Sequence, residues 1–128
     1  MVLDSSAIVA LLLNEPEASS FLTKLQSVES ISVGAPTLLE CEMVIMTLLG
    51  AEGLLRLDEL LMALGVEILS FGERELAVAR VAFRTYGKGR HPAGLNFGDC
   101  FSYAMAITRG EPLLFKDQDF PQTDVQVV

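Results

Sequence analysis

Four acidic residues lie at positions from which a folded chain could gather them around a metal ion. Asp4 follows the apolar start of the chain, and Asp117 comes just after the apolar run that ends at Phe115. Glu40 and Asp99 each fall in the first turn of a predicted helix. All four are embedded in apolar sequence, where an unpaired carboxylate is costly to bury and clustered carboxylates repel one another. A divalent cation with oxygen ligands would remove both penalties.

Hydrolysis of a phosphodiester is the chemistry that such a cluster supports. Mg²⁺ binds carboxylate oxygens and keeps several waters, and Mn²⁺ accepts the same hard ligands. The bound ion can activate a water molecule and neutralise the charge that develops on a phosphate. Any one of these acids could instead cap a helix or complement its dipole. All four together are harder to explain in that way, so the acids alone leave a metal site and a structural role both open.

Short apolar strands alternate with helices along the chain, and these elements must bring the acids together. The predicted strands are Met1 to Asp4, Ile31 to Gly34, Val66 to Leu69, Leu113 to Phe115 and Gln126 to Val128. The predicted helices are Ser5 to Asn14, Glu17 to Gln26, Leu38 to Leu49, Leu54 to Leu64, Glu73 to Tyr86 and Gly98 to Arg109. This alternation predicts a three-layer α/β domain, with a short and mostly parallel sheet flanked by helices.

The order of the elements also predicts where a site forms. Sites in open parallel sheets lie at the carboxyl ends of the strands, which is where Asp4 and Asp117 fall. Gly50 and Gly53 are expected to break the long apolar stretch between residues 38 and 64 into two helices. The 128 residues fit one domain that covers residues 1–128.

Composition excludes several classes of protein. With 51% hydrophobic and 20% charged residues, the chain is typical of a globular rather than a disordered protein. No charge-free stretch exceeds ten residues, whereas a membrane-spanning helix needs about 18 or more. The start of the chain lacks the basic flank of a signal peptide, so we expect a cytoplasmic protein with no membrane association. Cys41 and Cys100 lack zinc-type spacing and are predicted to be reduced core thiols.

Four segments carry patterns of a known family. They read Met-Val-Leu-Asp-Ser-Ser-Ala at residues 1–7, Thr-Leu-Leu-Glu at 37–40, Gly-Leu-Asn-Phe-Gly-Asp-Cys at 94–100 and Pro-Leu-Leu-Phe-Lys-Asp-Gln-Asp-Phe at 112–120. The third block is followed, 18 positions after its Asp99, by Asp117. In these segments, and in their order over nearly the whole chain, the sequence resembles the PIN-domain toxins of bacterial toxin–antitoxin pairs.

The resemblance implies a PIN-like fold and a ribonuclease that uses Mg²⁺ or Mn²⁺ and forms no covalent enzyme intermediate. It also implies that a cognate antitoxin protein inhibits the enzyme. Carried over position by position, it gives catalytic and metal-binding roles to Asp4, Glu40, Asp99 and Asp117, with Ser6 supporting the cluster.

Two further acids, Glu42 and Asp119, lie close in sequence to these four and could also belong to the site. Glu42 lies about 200° around the helix from Glu40, so the two cannot face one metal ion, and the match to Leu-Leu-Glu favours Glu40. Asp119 could support the site from outside the ligand set, but we expect it to face the loop. Here the sequence departs from the commoner Gly-Asp-Asp form of the family's last block, because it reads Asp117-Gln118-Asp119.

The basic residues are concentrated in one segment of the chain. The net charge of −8 by itself argues against nucleic acid as a partner, but this segment could provide a local positive surface. Arg80, Arg84 and Lys88 recur at four-residue spacing and would form one stripe if the helix continued that far. With Arg90 and His91 in the loop that follows, they are candidates to hold the phosphates of RNA beside the acids. The alternative is a solvated helix face.

Apolar residues between positions 43 and 64 exceed what a small core readily buries. A surplus of this kind indicates a partner surface, either between two copies in a homodimer or for the amphipathic segment of an antitoxin. Core packing is the competing explanation.

Two other classes of function compete with the ribonuclease. A phosphoaspartyl phosphatase or receiver-like protein also begins with an Asp at the end of its first strand. The phosphatase pattern wants a second acid two residues later, where this chain has Ser6. A non-catalytic interaction module would tolerate the loss of acids, yet all four are present.

Overall fold

The computed structural model describes residues 1–128, and it contains one sheet of four parallel strands. The strands are β1 (Val2–Leu3), β2 (Ser32–Gly34), β3 (Glu67–Leu69) and β4 (Leu113–Leu114), and their order in the sheet is β3-β2-β1-β4. Val2 lies opposite Ser32 on one side and Leu113 on the other. The predicted parallel α/β architecture is therefore confirmed.

Five helices cover the two faces of this sheet. They are α1 (Ser5–Leu12), α2 (Ala18–Gln26), α3 (Ala35–Leu64), α4 (Glu73–Tyr86) and α5 (Phe97–Arg109). Adjacent strand residues point to opposite faces, so Leu3 packs in one core cluster with α1, α2 and α3, while Val2 packs in a second cluster with α4 and α5. The predicted three layers follow from this division. None of the helices combines the length and the apolar character that a membrane crossing requires.

The predicted break between residues 38 and 64 is confirmed at Gly50 and wrong at Gly53. α3 runs from Ala35 to Leu64 with a kink at Gly50, whose φ of 71° and ψ of −162° suit glycine alone. Gly53 stays helical and buried. A Cβ at Gly53 would lie 2.5 Å from Cβ of Leu49 and 2.9 Å from Cγ2 of Ile45, so this glycine permits close packing rather than ending the helix.

The predicted fifth strand at residues 126–128 is also wrong. Only an isolated parallel bridge joins Val127 to Leu113, through a 2.9 Å hydrogen bond from the Leu113 amide to the Gln126 carbonyl. One bridge does not make a strand, so β4 remains the edge of the sheet. The prediction of reduced cysteines is confirmed, because Cys41 and Cys100 are both buried and free.

Candidate metal centre

Asp4 lies at the junction of β1 and α1, where it caps the helix, and it is only 2% exposed. Its Oδ2 accepts hydrogen bonds from the Ser6 amide at 3.0 Å and from Ser6 Oγ at 2.6 Å. Its Oδ1 accepts one from Ser102 Oγ on α5 at 2.5 Å. Ser102 Oγ in turn lies 3.3 Å from Thr37 Oγ1 on α3. Three neutral donors and no cationic side chain therefore hold this carboxylate in place.

Asp99 is fixed by the cap of α5. The amide of Asp99 donates to Oδ1 of Asn96 at 2.9 Å, and the amide of Asn96 donates back to Oδ2 of Asp99 at 3.0 Å. This reciprocal pair satisfies two amides at the start of the helix. Burial raises the pKa of Asp99 to about 7, and the nearby charges of Asp4, Asp119 and Asp117 raise it as well, against the hydrogen bond from Asn96. Such a carboxyl group gains from a cation that would favour its ionised form.

Glu40 reaches the start of α5 from the first half of α3. Its Oε1 accepts a 2.7 Å hydrogen bond from Ser5 Oγ. Its carboxylate lies against Gly98, where a Cβ would stand 2.8 Å from Cδ and 2.9 Å from Oε1 of Glu40, and would overlap Oε2. A side chain at position 98 would therefore displace the Glu40 carboxylate from its present place.

Glu42 lies two residues after Glu40 on α3. Its charge raises the pKa of the buried Cys41 thiol. The charge of Glu40, in contrast, raises the pKa of Asp117. The choice of Glu40 over Glu42 as a site residue stays a prediction.

Asp117 and Asp119 follow β4 on a loop tied to the start of α1. The amide of Lys116 donates to Ser6 Oγ at 3.0 Å, so Ser6 joins Asp4 to this loop. Burial raises the pKa of Asp117, and the charges of Asp4, Asp119 and Glu40 add to the effect. Asp119 is half-buried, and its charge raises the pKa of both Asp99 and Asp117.

The chemistry of these donors fits a hard divalent cation. The acids offer carboxylate oxygens alone, and their mutual repulsion is of the kind that a cation relieves. No three histidine, cysteine, aspartate or glutamate side chains stand close enough together to form a ready metal-binding group. The acids therefore affect one another's charge without forming a ready-made metal site.

Known protein families offer a match over nearly the full length of the chain. The family model described as the PIN domain matches residues 1–126 of the sequence. The chain belongs to the PIN-domain family. Ribonuclease VapC30 of Mycobacterium tuberculosis is 43% identical to this PIN domain over 128 residues, which is 100% of the chain and 98% of the relative. Ribonuclease VapC28 of the same organism is 41% identical over 127 residues, with coverage of 98% and 96%.

Solved structures share the fold of this PIN domain. VapC20 of Mycobacterium tuberculosis, a sarcin–ricin-loop-cleaving toxin, has a TM-score of 0.78 at 15% identity, over 99% of this chain and 97% of that one. VapBC2 of Rickettsia felis, bound to a DNA fragment from their promoter, has a TM-score of 0.76 at 16% identity, over 98% and 94%. The likeness to these structures supports the fold alone. Family membership sets aside the phosphoaspartyl class that the sequence left open.

The basic residues of this PIN domain do not form the predicted continuous stripe. α4 ends at Tyr86, so Arg80 and Arg84 are helical but Lys88 lies in the loop beyond. These three side chains and Arg90 are exposed and form no ion pair with an acid.

Two of the three basic residues of the loop, Arg90 and His91, contact aromatic rings. The Arg90 guanidinium lies 5.3 Å from the centroid of the Phe83 ring. Nδ1 of His91 accepts the Ala93 amide at 3.0 Å, and its ring meets Tyr86 edge to face at 5.1 Å. His91 thus stabilises the loop that leads to α5.

Sequence reasoning missed several residues that hold the acids. Asn96 could have been found, since an Asn three residues before Asp99 is the pattern of a reciprocal helix cap. Ser102 could have been found in part, because it lies one turn after Asp99 on the same face of α5. Ser5 and Gly98 act across elements that are distant in sequence, and no local pattern indicates their contacts.

Proposed function

We propose that this PIN domain is a cytoplasmic endoribonuclease that hydrolyses RNA phosphodiesters with Mg²⁺ or Mn²⁺, as the toxin of a toxin–antitoxin pair. The observation that carries the proposal is the cluster of carboxylates at the carboxyl end of the parallel sheet, in a chain 43% identical to a ribonuclease of the VapC group. The residues that we assign to catalysis and metal binding are Asp4, Glu40, Asp99 and Asp117.

Each acid has a role that its surroundings support. A bound cation would polarise the phosphate and lower the pKa of a water molecule. Asp4 and Asp99 are the buried ligands, and Ser6, Ser102 and Asn96 keep their oxygens oriented. Glu40 and Asp117 are more open to solvent, so they can accept a hydrogen bond from the attacking water.

A covalent intermediate on cysteine has no support in this fold. Burial, with the charges of Asp4, Glu42 and Glu40, raises the pKa of the Cys41 thiol to about 12. A thiol with this pKa is not ionised near neutral pH and is a poor nucleophile. Direct attack by water is therefore the proposed route.

The partners that we propose are a cognate antitoxin and a second copy of the chain. α3 exposes large apolar side chains that a partner would cover. Those more than half exposed are Leu39, Met43, Met46, Leu48, Leu55 and Met62. Two solved neighbours with the same fold are toxin–antitoxin assemblies, from Rickettsia felis and from Klebsiella pneumoniae. We assign this face of α3 to partner contacts.

A cleavage assay on pooled RNA tests the proposed activity. The wild-type protein should cut RNA with Mg²⁺ or Mn²⁺ and stop when a chelator is added, and Asp4→Asn should be inactive in both conditions. Asp58→Asn, which alters an exposed acid of α3 outside the cluster, is the matched control and should cut like wild type. Cleavage by Asp4→Asn at the wild-type rate, or cleavage that a chelator does not affect, would contradict the proposal.

A further inference from the structure

An apolar groove of about 400 Å³ lies between α4 and α5, outside the acidic cluster. Phe83 of α4 and Phe97 and Phe101 of α5 form its aromatic lining. Phe97 is 81% exposed. Its ring meets that of Phe101 edge to face, with centroids 4.7 Å apart, and Phe101 meets Phe71 in the same manner at 4.9 Å. The exposed Phe97 ring thus packs against Phe101, which in turn packs against Phe71.

The rim of this groove is cationic. Arg80 and Arg84 both line it, and neither pairs with a carboxylate. No acidic residue lines the groove. Aromatic faces beside unpaired guanidinium groups are the combination that binds single-stranded nucleic acid, because bases stack on the rings while the cations contact phosphates.

The groove and Asp99 lie on different sides of the first turn of α5. Phe97 and Asp99 belong to the same first turn but are two residues apart, which places them about 200° apart around the axis. A helix is about 10–12 Å across, and one strand of a stacked duplex rises about 3.4 Å per nucleotide. An RNA strand that crosses this helix end could therefore reach both sites within a few nucleotides.

We propose that the groove binds an unpaired base of the RNA substrate, a few nucleotides from the phosphate that is cut. Phe97 is the stacking surface, and Arg80 and Arg84 contact the adjoining phosphates. The inference rests on the proposed ribonuclease function. A base can enter the groove only after it leaves its own stack, so the enzyme selects RNA that is single-stranded at this position.

A second copy of the chain fits this face less well. In a symmetric dimer the same patch lies on both sides of the interface. Arg80 and Arg84 of the two copies would then be brought together with no carboxylate in the groove to separate them. RNA, in contrast, brings the negative charge that these arginines lack.

Substitution of Phe97 tests the proposal. The variants are compared with the wild-type enzyme, and the substrate is a single-stranded oligoribonucleotide that the wild-type enzyme cleaves. Loss of one base–aromatic stack typically weakens binding about 5- to 150-fold. Phe97→Ala should raise KM within that range while kcat and Mg²⁺ affinity stay unchanged, and Phe97→Trp should restore KM. Val81→Ala removes an apolar residue of α4 that is 59% exposed and does not line the groove, so it should change nothing.

A complementary strand across the cut site should block cleavage by the wild-type enzyme. A wild-type KM for Phe97→Ala, or equal cleavage of the duplex, would overturn the groove assignment while leaving the ribonuclease intact. A change in sedimentation coefficient for Phe97→Ala without a change in KM would show that the face joins protein copies instead, and would overturn it too. If the wild-type protein cuts no RNA, the proposed function itself fails and the groove assignment falls with it.

Discussion

At the residue scale, the position of Glu40 depends on a hydrogen bond from Ser5 and on the absence of a side chain at Gly98. Ser5 donates to one carboxylate oxygen, and the missing side chain of Gly98 makes space for the other. A glycine is usually explained by its backbone freedom, but Gly98 lies within the helix α5 and is needed for the space above its Cα. Its position in the sequence next to Asp99 thus reflects packing around the acids.

Gly98→Ala should displace the Glu40 carboxylate and lower kcat/KM for RNA by about 100-fold, since a 1 Å misplacement near the reacting atoms can have that effect. Shortening the acid in the double variant Gly98→Ala with Glu40→Asp should recover part of the loss. Gly72→Ala is the control, because the nearest atom to its added Cβ is 3.6 Å away. Glu42→Gln should also stay within a few-fold of wild type. Full activity of Gly98→Ala would contradict the assigned role of Glu40.

Asp99 should make the cation-free protein less stable as the pH rises. Its pKa is about 7 in the fold, whereas an unfolded aspartate has a pKa of about 3.9. Between these values the folded chain holds the proton and the unfolded chain has released it, so the free energy of unfolding falls with increasing pH. The urea midpoint measured in EDTA should therefore fall between pH of about 4 and about 7.

Asp99→Asn should remove most of that slope, because the amide does not titrate. Mg²⁺ should stabilise the wild-type protein more at pH 8 than at pH 5, where protons compete for the ligand. An unchanged slope in Asp99→Asn would mean that the other acids of the cluster carry the titration.

At the scale of elements, α4 carries the positive surface on which the proposed RNA binding depends. The net charge is −8, so long-range electrostatics oppose RNA binding. Arg80 and Arg84 lie one turn apart on α4, with the loop that carries Lys88 and Arg90 beyond its end. The helix therefore presents its two arginines together beside the start of α5.

The double variant Arg80→Ala with Arg84→Ala should raise KM and flatten the salt dependence of RNA binding. Each lost phosphate contact removes about one unit from the slope of log K against log salt, or about 0.7 for single strands. Mg²⁺ affinity, measured by calorimetry, should not change. Arg56→Ala, at an exposed arginine of α3, is the control. An unchanged slope between about 50 and 200 mM salt would identify these arginines as a solvated helix face.

At the scale of the whole molecule, the kinked helix α3 contributes both to the core and to the exposed apolar surface. Its buried face completes the core through Leu38, Cys41, Ile45 and Leu57, while its outer face stays apolar and uncovered. The start of the same helix holds Glu40. A partner seated near the start of α3 would thus lie next to Glu40.

Expression of the protein alone should arrest growth, and expression of Asp4→Asn should not. A short protein encoded by a neighbouring gene should relieve the arrest and co-purify with the chain. Met43→Glu with Met46→Glu should weaken that complex and leave RNA cleavage by the purified enzyme unchanged, since both side chains are exposed. Normal growth with abundant, folded and metal-competent protein would leave a nuclease but contradict the toxin role.

The sequence by itself determined the architecture and indicated the acids of the proposed site. Strands and helices are encoded by local periodicity, and the order in which they alternate leaves the parallel sheet as the simple solution. Asp4 and Asp99 were readable because each lies at the boundary of an element, where a short-range pattern of caps and apolar residues defines the position. No long-range contact had to be known for either.

Only the tertiary structure decided what surrounds those acids. Ser102 reaches Asp4 across 98 positions, and Ser5 reaches Glu40 across 35. In sequence, Gly53 and Gly98 cannot be distinguished from glycines at helix ends. Each nevertheless lies inside a helix, where a side chain would collide with neighbouring atoms. The reason is physical: hydrogen bonds and steric limits between distant segments arise only after the strands are ordered in the sheet, and neighbouring residues carry no record of that order.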